Sequence, residues 1–348
     1  MRDLLPANRP ALVLAPMQDV TDLAFMRVIA GHGAPDWFVT EYFRVHAHSR
    51  LESKIVRSIC ENETGRPVFA QMIGRDVDEL VRTARQLEAL PIAGIDLNLG
   101  CPAPVVCKKN AGGGLLREPN QIDLILGRLR DAVKGRFTVK TRIGFDKPGE
   151  FDGLLGVFTR HGLDGLSIHG RTVRERYQTP VHTECVRMAV ETMSCPVIAN
   201  GNVVDVDTGV AYLAQTHAAG LMIGRGAIRN PWIFRQLAQT MEGSTPITPS
   251  LRDLLSYIGE LYQEIARERP KFNELAHVQS MKRTLAYISH GLEGPFEHDI
   301  RRVNTPEDFF AVCHEHLDQD GLLPACPPQD SRLFCGFDAL LTSREFAL

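Results

Sequence analysis

Leu99-Gly-Cys-Pro102 sets a thiol between two turn-forming residues, directly after the apolar run Gly94–Leu99. A cysteine lifted past a strand end is placed to act as a nucleophile, a metal ligand or a proton donor. The other seven cysteines (Cys60, Cys107, Cys185, Cys195, Cys313, Cys326 and Cys335) lack such a setting and read as packing residues. No CxxC pair occurs, and nothing near Cys101 has metal-ligand spacing. Cys313-His-Glu-His316 with Asp318 holds ligand types, but on a helix these spacings do not converge on one point. It reads as a solvated face, and no metal site is expected.

Polar residues at regular spacing mark a second kind of chemistry. In Gly94–Leu99, Asp96 and Asn98 alternate with Ile95, Leu97 and Leu99; in Thr138–Ile143, Lys140 and Arg142 share a face opposite Val139 and Thr141. Faces that pack on helices are apolar, so these polar sets point the other way, towards a ligand. The alternative for Lys140 is a structural pair with Asp96. Asn200-Gly201-Asn202 and Gly224-Arg225-Gly226 follow two later apolar runs. Glycine lets backbone approach an anion, a following helix offers free N–H groups, and Arg225 adds a charge-assisted contact, which together describe a phosphate site. The basic, glycine-rich segment Val106–Leu116 reads as a mobile loop that meets an acidic substrate.

Eight short apolar runs must position these groups: Ala11–Ala15, Trp37–Glu41, Val68–Met72, Gly94–Leu99, Thr138–Ile143, Gly165–His169, Pro196–Asn200 and Gly220–Ile223. Amphipathic stretches such as Val77–Ala89, Ile122–Val133, Thr183–Thr192 and Val206–Ala214 separate them. Strands alternating with helices imply a parallel sheet, and eight strands fit a closed (β/α)8 TIM barrel better than a doubly wound sheet. Residues 1–243 would form this barrel. Gly243–Ser250, rich in Pro, Ser and Thr, reads as a linker; residues 250–320 then show a purely helical period, with Thr305-Pro-Glu as a helix start, and 321–348 read as an irregular tail. The fold class is therefore α/β, a barrel followed by a small C-terminal helical domain.

The 348 residues carry a net charge of −3, with 44% hydrophobic and 23% charged residues, which excludes a disordered or fibrous chain. No apolar run approaches the roughly 18 residues of a membrane span, and no secretory signal pattern is present. The scattered cysteines read as reduced thiols of a cytoplasmic protein, expected to be a monomer. Residues 105–145 nevertheless hold nine Lys or Arg against three acids. Arg171, Arg174 and Arg176 follow the sixth strand, and Lys282 and Arg283 lie on a helix of the second domain. A basic surface between a barrel mouth and a helical domain suits a polyanion; solvated helix faces are the plain alternative.

With these residues in view, the chain closely resembles the tRNA-dihydrouridine synthases. The resemblance rests on Leu14-Ala-Pro-Met17 with Thr21-Asp22, Phe69-Ala-Gln-Met72, Asp96-Leu-Asn-Leu-Gly-Cys-Pro102, Ala111-Gly-Gly-Gly-Leu-Leu-Arg117, Val139-Lys-Thr-Arg-Ile-Gly144, Ile168-His-Gly-Arg-Thr172, Val197-Ile-Ala-Asn-Gly201 and Met222-Ile-Gly-Arg-Gly226, in the family's order. It implies tightly bound FMN, NADPH as reductant, and tRNA gripped across both domains at its D-loop. Pro16, Met17 and Gln18 would lie along the flavin ring, Gln71 at its edge, and Lys140 and His169 beside it. Asn200, Gly201, Asn202, Gly224 and Arg225 would hold the phosphate. Asn98, Arg142 and Arg171 would neighbour the uracil, Lys282 and Arg283 would contact RNA, and Cys101 would be the proton donor.

The implied chemistry suits these residue types. Hydride passes from flavin N5 to C6 of the uracil, and a weak acid protonates C5; an ordinary thiol, titrating near about 8.5, still carries its proton at neutral pH. Two departures stand out: Val173 and Thr179 replace a basic residue and a glycine that many members carry. Glu41-Tyr-Phe-Arg-Val45 and His277-Val-Gln-Ser-Met-Lys-Arg283 resemble the C-type subgroup, which acts on uridine 16. Rival readings are a free-pyrimidine flavoenzyme such as a dihydroorotate dehydrogenase, a flavin-free aldolase with a Schiff base on Lys140, and a tRNA-binding module without catalysis.

Overall fold

The structure, a computed structural model, describes residues 1–335. Nine strands form one parallel sheet: β1 (Ala11–Leu14), β2 (Trp37–Val39), β3 (Phe43–Arg44), β4 (Val68–Ile73), β5 (Gly94–Leu99), β6 (Phe137–Arg142), β7 (Gly165–His169), β8 (Val197–Asn200) and β9 (Gly220–Ile223). β1 pairs with both β2 and β9, and β2 pairs with β4, which closes β1, β2 and β4–β9 into the expected eight-stranded barrel. The two-residue β3 adds to β4 outside the ring.

Helices wrap the barrel: α1 (Leu23–Gly33), α2 (Ser53–Cys60), α3 (Val77–Leu87), α4 (Pro104–Cys107), α5 (Pro119–Ala132), α6 (Phe151–Phe158), α7 (Thr183–Thr192), α8 (Val206–Thr216), α9 (Arg225–Arg229) and α10 (Ile233–Met241). Strand β1 is buried on both faces, which is why it reads as an uninterrupted apolar run. Its Leu12 and Leu14, with Ile95, Leu97 and Leu99, join the large core shared with the helices. Ala11, Val13, Trp37, Phe69, Ile198 and Met222 form a separate inner core, closed by Met1, Leu4 and Leu5. The lower barrel is thus filled by side chains.

The second domain contains α11 (Leu251–Glu268), α12 (Glu274–Ile288), α13 (Phe296–Ile300) and α14 (Pro306–Leu317). Ser250, Asn273 and Thr305 cap α11, α12 and α14, each accepting a backbone N–H in the first turn. Pro306, in the first turn of α14, matches the helix start read from Thr305-Pro-Glu. The linker is pinned: the Ile247 N–H donates to Gln239 Oε1 (3.0 Å) and Gln236 Nε2 donates to the Ile247 carbonyl (2.9 Å). The described part of the tail crosses back to the barrel and ends in the four-residue helix Arg332–Cys335; 336–348 lie outside the described residues.

Charged groups weld the two domains. Arg27 on α1 meets Glu268 on α11 (2.6 Å), and Arg269 meets Asp22 (2.9 Å). Arg229, fully buried on α9, donates Nε to the His290 carbonyl (2.8 Å) and Nη2 to the Pro324 carbonyl (2.7 Å), so one guanidinium ties barrel, helical domain and tail together. Arg229→Ala should remove two charge-assisted hydrogen bonds from a buried site and lower unfolding stability by about 2–4 kcal/mol in urea titrations. Arg128→Ala, which breaks the exposed pair with Asp78, should cost less than about 1 kcal/mol in the same measurement.

Candidate active site

A cavity of about 810 Å3 opens at the C-terminal ends of the strands and also touches Tyr287 of the helical domain and Leu333 of the tail. Pro16, Met17, Gln18, Asn98, Cys101, Lys140, Arg142, His169, Asn200, Gly201, Asn202, Gly224 and Arg225 all line it. Strand register brings them together: Asn98 lies beside Lys140, Arg142 beside His169, and His169 beside Asn200.

Asn98 shapes the turn that carries Cys101. Its Oδ1 accepts from the N–H groups of Gly100 (3.0 Å) and Cys101 (2.9 Å), and its Nδ2 donates to Gln71 Oε1 (2.8 Å). Arg142 Nε grips the Gly100 carbonyl (3.0 Å), while the Gly113 N–H (3.1 Å) and Cys107 Sγ (3.5 Å) reach the Cys101 carbonyl. Tyr42 also lines the cavity; burial and the neighbouring Cys101 raise its phenol above the ordinary value.

The glycine-rich segment is not the mobile loop expected from its composition. Gly112–Arg117 form a 3-10 turn whose Gly112, Gly113 and Gly114 are buried against the cysteine turn. Gly112 has φ +52°, and a Cβ there would come within 2.8 Å of Ile73 and 3.1 Å of Cys101. A Cβ on Gly113 would meet Val173 at 2.6 Å. The glycines therefore permit close packing behind Cys101. Val173 itself is a buried residue of this packing, and Thr179 offers its carbonyl to Arg171, so neither departure from the family pattern faces the cavity with a side chain contact of its own.

Positive charge dominates the opposite half of the rim. Burial, with Arg142 next, pushes Lys140 down to about 8; its Nζ bonds to Asn200 Oδ1 (3.1 Å). Asp96 bonds instead to Gln71 Nε2 (2.7 Å) and Thr138 Oγ1 (2.6 Å), and burial raises it to about 6, so the structural Lys140–Asp96 pair is not formed. Arg142 donates Nη1 to the carbonyls of Thr172 and Arg176 (both 2.8 Å). Burial first, then Arg142, Lys140, Arg171 and Arg225, hold His169 neutral, far below the usual imidazole range. Its Nδ1 is buried without a partner, as is Asn202 Oδ1. Asn202 sits at φ +52° after Gly201 at φ +133°, and a Cβ on Gly226 would strike the Val203 carbonyl. A cradle too tight for side chains, with two cations and two orphaned polar atoms beside it, fits an anionic group approaching the backbone.

Four expected residues stand elsewhere. Gln71 is fully buried one layer deeper, its amide consumed by Asp96 and Asn98. Arg171 lies behind the wall, donating Nε to the Thr179 carbonyl (2.6 Å) with Nη1 unpartnered, and burial lowers it to about 10. Lys282 turns away to the Arg301 carbonyl (3.0 Å), whereas Arg283 lines a smaller neighbouring cavity. The basic surplus of 105–145 is also dispersed: Arg128, Arg130 and Arg136 pair with Asp78, Asp164 and Asp3, while Lys108, Lys109 and Arg117 are exposed beside the cysteine turn without an ion pair among the described residues. Cys313 is core, and His316 pairs with Asp299 (3.1 Å).

Sequence reading missed Tyr177 and Tyr287. Tyr177 stands between Arg225 (4.2 Å from the ring centroid) and Arg142 (5.3 Å) and meets His169 edge-on at 5.9 Å. The signal for Tyr177 was an aromatic residue directly after the basic run Arg171–Arg176.

Comparison with known proteins agrees with this arrangement. The family model for Dihydrouridine synthase (Dus) matches residues 13–320. A tRNA-dihydrouridine(16) synthase of Neisseria meningitidis is 30% identical over 74% of this chain and 80% of its own. One of Pseudomonas putida is 32% identical over 75% and 84%, and a tRNA-dihydrouridine synthase B of Pasteurella multocida is 31% identical over 72% and 77%. Among solved structures, histamine dehydrogenase from Rhizobium sp. 4-9 superposes with a TM-score of 0.53 at 13% identity, covering 73% of this chain and 49% of that one, a likeness of fold alone. The described residues include no helix long and apolar enough to cross a membrane. A closed eight-stranded barrel, a cysteine held at the tip of β5 and a family match spanning both domains make one conclusion: the chain is an enzyme of the dihydrouridine synthase family.

Proposed function

We propose that the protein reduces the C5=C6 bond of a D-loop uridine in tRNA to 5,6-dihydrouridine, with FMN in the barrel mouth and NADPH as the reductant. The observation that carries this reading is the single cavity in which a rigidly held thiol faces a cationic, glycine-lined anion cradle. The relatives named for uridine 16 support that position as the first to test.

The residues fit FMN. Gly201, Asn202, Gly224 and Arg225 would hold its phosphate, and Pro16 and Met17 offer an apolar wall to its ring. Bound FMN supplies the hydride that reaches C6 of the uracil. Addition at C6 leaves negative charge across C5 and the C4 oxygen, so the residue that matters next is an acid close to C5. Cys101 holds that proton. Asn98 acts on it indirectly, as a positioning residue whose Oδ1 organises the two N–H groups of the turn. Protonated Lys140 favours anionic parts of the cofactor, and neutral His169 presents a ring nitrogen without adding further charge.

The direct test expresses the gene in cells whose tRNA lacks dihydrouridine and maps where the base returns. Return at a D-loop position supports the reading; yellow, folded protein with no dihydrouridine in any tRNA overturns it in favour of a free-pyrimidine substrate. Cys101→Ala should keep FMN and its reduction by NADPH, but slow conversion of tRNA uridine by about 10²–10⁴-fold in single-turnover assays. The titration of Lys140 sets a pH dependence. Its proton is held below about 8 and lost above it, so the dissociation constant for FMN should rise about ten-fold between pH 7 and 9. In Lys140→Met the affinity should be weaker at pH 7 and flat over that range, as read by flavin fluorescence.

A further inference from the structure

Between barrel and helical domain lies a second cavity, of about 300 Å3, which the proposed reduction does not use. It adjoins the first: Gln18, Val20, Ile228 and Tyr287 belong to the walls of both. Phe25 from α1 and Leu261 and Ile265 from α11 give it an apolar floor. Among its polar groups, Arg269 donates to Ser280 Oγ (3.1 Å) and to Asp22 Oδ2 (2.9 Å), while Gln18 Oε1 is buried without a partner. At the rim stand Asp19, Thr284 and Arg283, and Arg283 is exposed and forms no ion pair or hydrogen bond among the described residues. The partition between the cavities is a constrained turn. Asp19 takes φ +62°, a strained value for a residue with a side chain. Thr21 Oγ1 enforces it by accepting from the Met17 N–H (3.0 Å) and donating to the Ala15 carbonyl (2.9 Å).

An apolar floor, an unpaired guanidinium at the lip and a volume at the lower end of the ligand-pocket range describe a site for one base carrying a phosphate. We propose that this cavity receives the nucleotide immediately adjacent to the target uridine in the same RNA strand, its base on the apolar floor and its phosphate at Arg283. The proposal rests on the tRNA reading of the main cavity and adds to it a second subsite. Extruding the target uridine leaves its neighbour without a stacking partner, and a second apolar pocket sharing walls with the first would replace that stack. Specificity for a position in the D-loop would then depend on two bases, the one reduced and the one beside it.

Substrate RNAs abasic at the residue 5′ or 3′ to the target uridine test this with the native holoenzyme. One of the two should bind at least about ten-fold more weakly than the intact RNA. Thr284→Trp, which fills the cavity from its rim, should weaken intact RNA by a similar factor and abolish the abasic penalty. Arg283→Ala should reduce the slope of log Kd against log salt by about one. Flavin reduction by NADPH without RNA, together with the melting temperature, reports whether each variant is folded. Native affinity for both abasic RNAs, or an undiminished abasic penalty in folded Thr284→Trp, overturns the second subsite while dihydrouridine formation continues. Failure of the native enzyme to form dihydrouridine at all overturns the reading of the main cavity, and this one with it.

Discussion

Burial of like charge governs the upper half of this barrel. Lys140, Arg142 and Arg171 are withdrawn from water close to one another and to Arg225, and each of the three is held below its ordinary proton affinity by burial. Carboxylates do not neutralise them. Arg142 and Arg171 donate to backbone carbonyls, Arg171 through Nε alone with Nη1 left unpartnered, while Asp96, the acid beneath, is bound by an amide and a hydroxyl. Carbonyl dipoles meet the hydrogen-bonding demand of a guanidinium but leave its charge in place. The cavity therefore keeps a positive field, and an anionic ligand is the natural counterpart to it.

The same economy of partners places the thiol. Cys101 sits on a turn whose backbone groups are held by Asn98, Arg142, Gly113 and Cys107. Arg142 thus serves two ends, carrying charge into the cavity and anchoring Gly100 from the neighbouring strand. A turn fixed from four directions restricts where the thiol can stand, which is what any chemistry at a single side chain requires.

The helical domain completes the mouth instead of merely adjoining it. Tyr287 reaches the main cavity from α12, and the Arg229 guanidinium clasps carbonyls from the helical domain and the tail. With Arg27–Glu268 and Arg269–Asp22 closing the other side, ion pairs and buried hydrogen bonds join the two domains on both flanks of the mouth.

Much of this was legible in the chain alone. The bounds of β5, β7 and β9 match the short runs read from the sequence, each followed directly by a glycine, and α7 matches its amphipathic stretch. Cys101, Lys140, Asn200 and Arg225 were identifiable because period-2 alternation and turn glycines dictate which side chains reach the rim. Depth along the barrel axis was not. Gln71 has the correct parity, but strand register aligns it with Asp96 and Thr138, one layer below Asn98 and Lys140. Neighbours on a helix point about 100° apart, so Arg283 meets a cavity and Lys282 the turn after α13, a choice made by packing. The glycines behind Cys101 carried the composition of a loose loop; only the proximity of Val173 and Ile73, distant in sequence, made them a close-packed wall. Local chemistry and periodicity thus decided which residues could act, while register, depth and inter-domain contact, which depend on pairs far apart in the chain, decided which of them do.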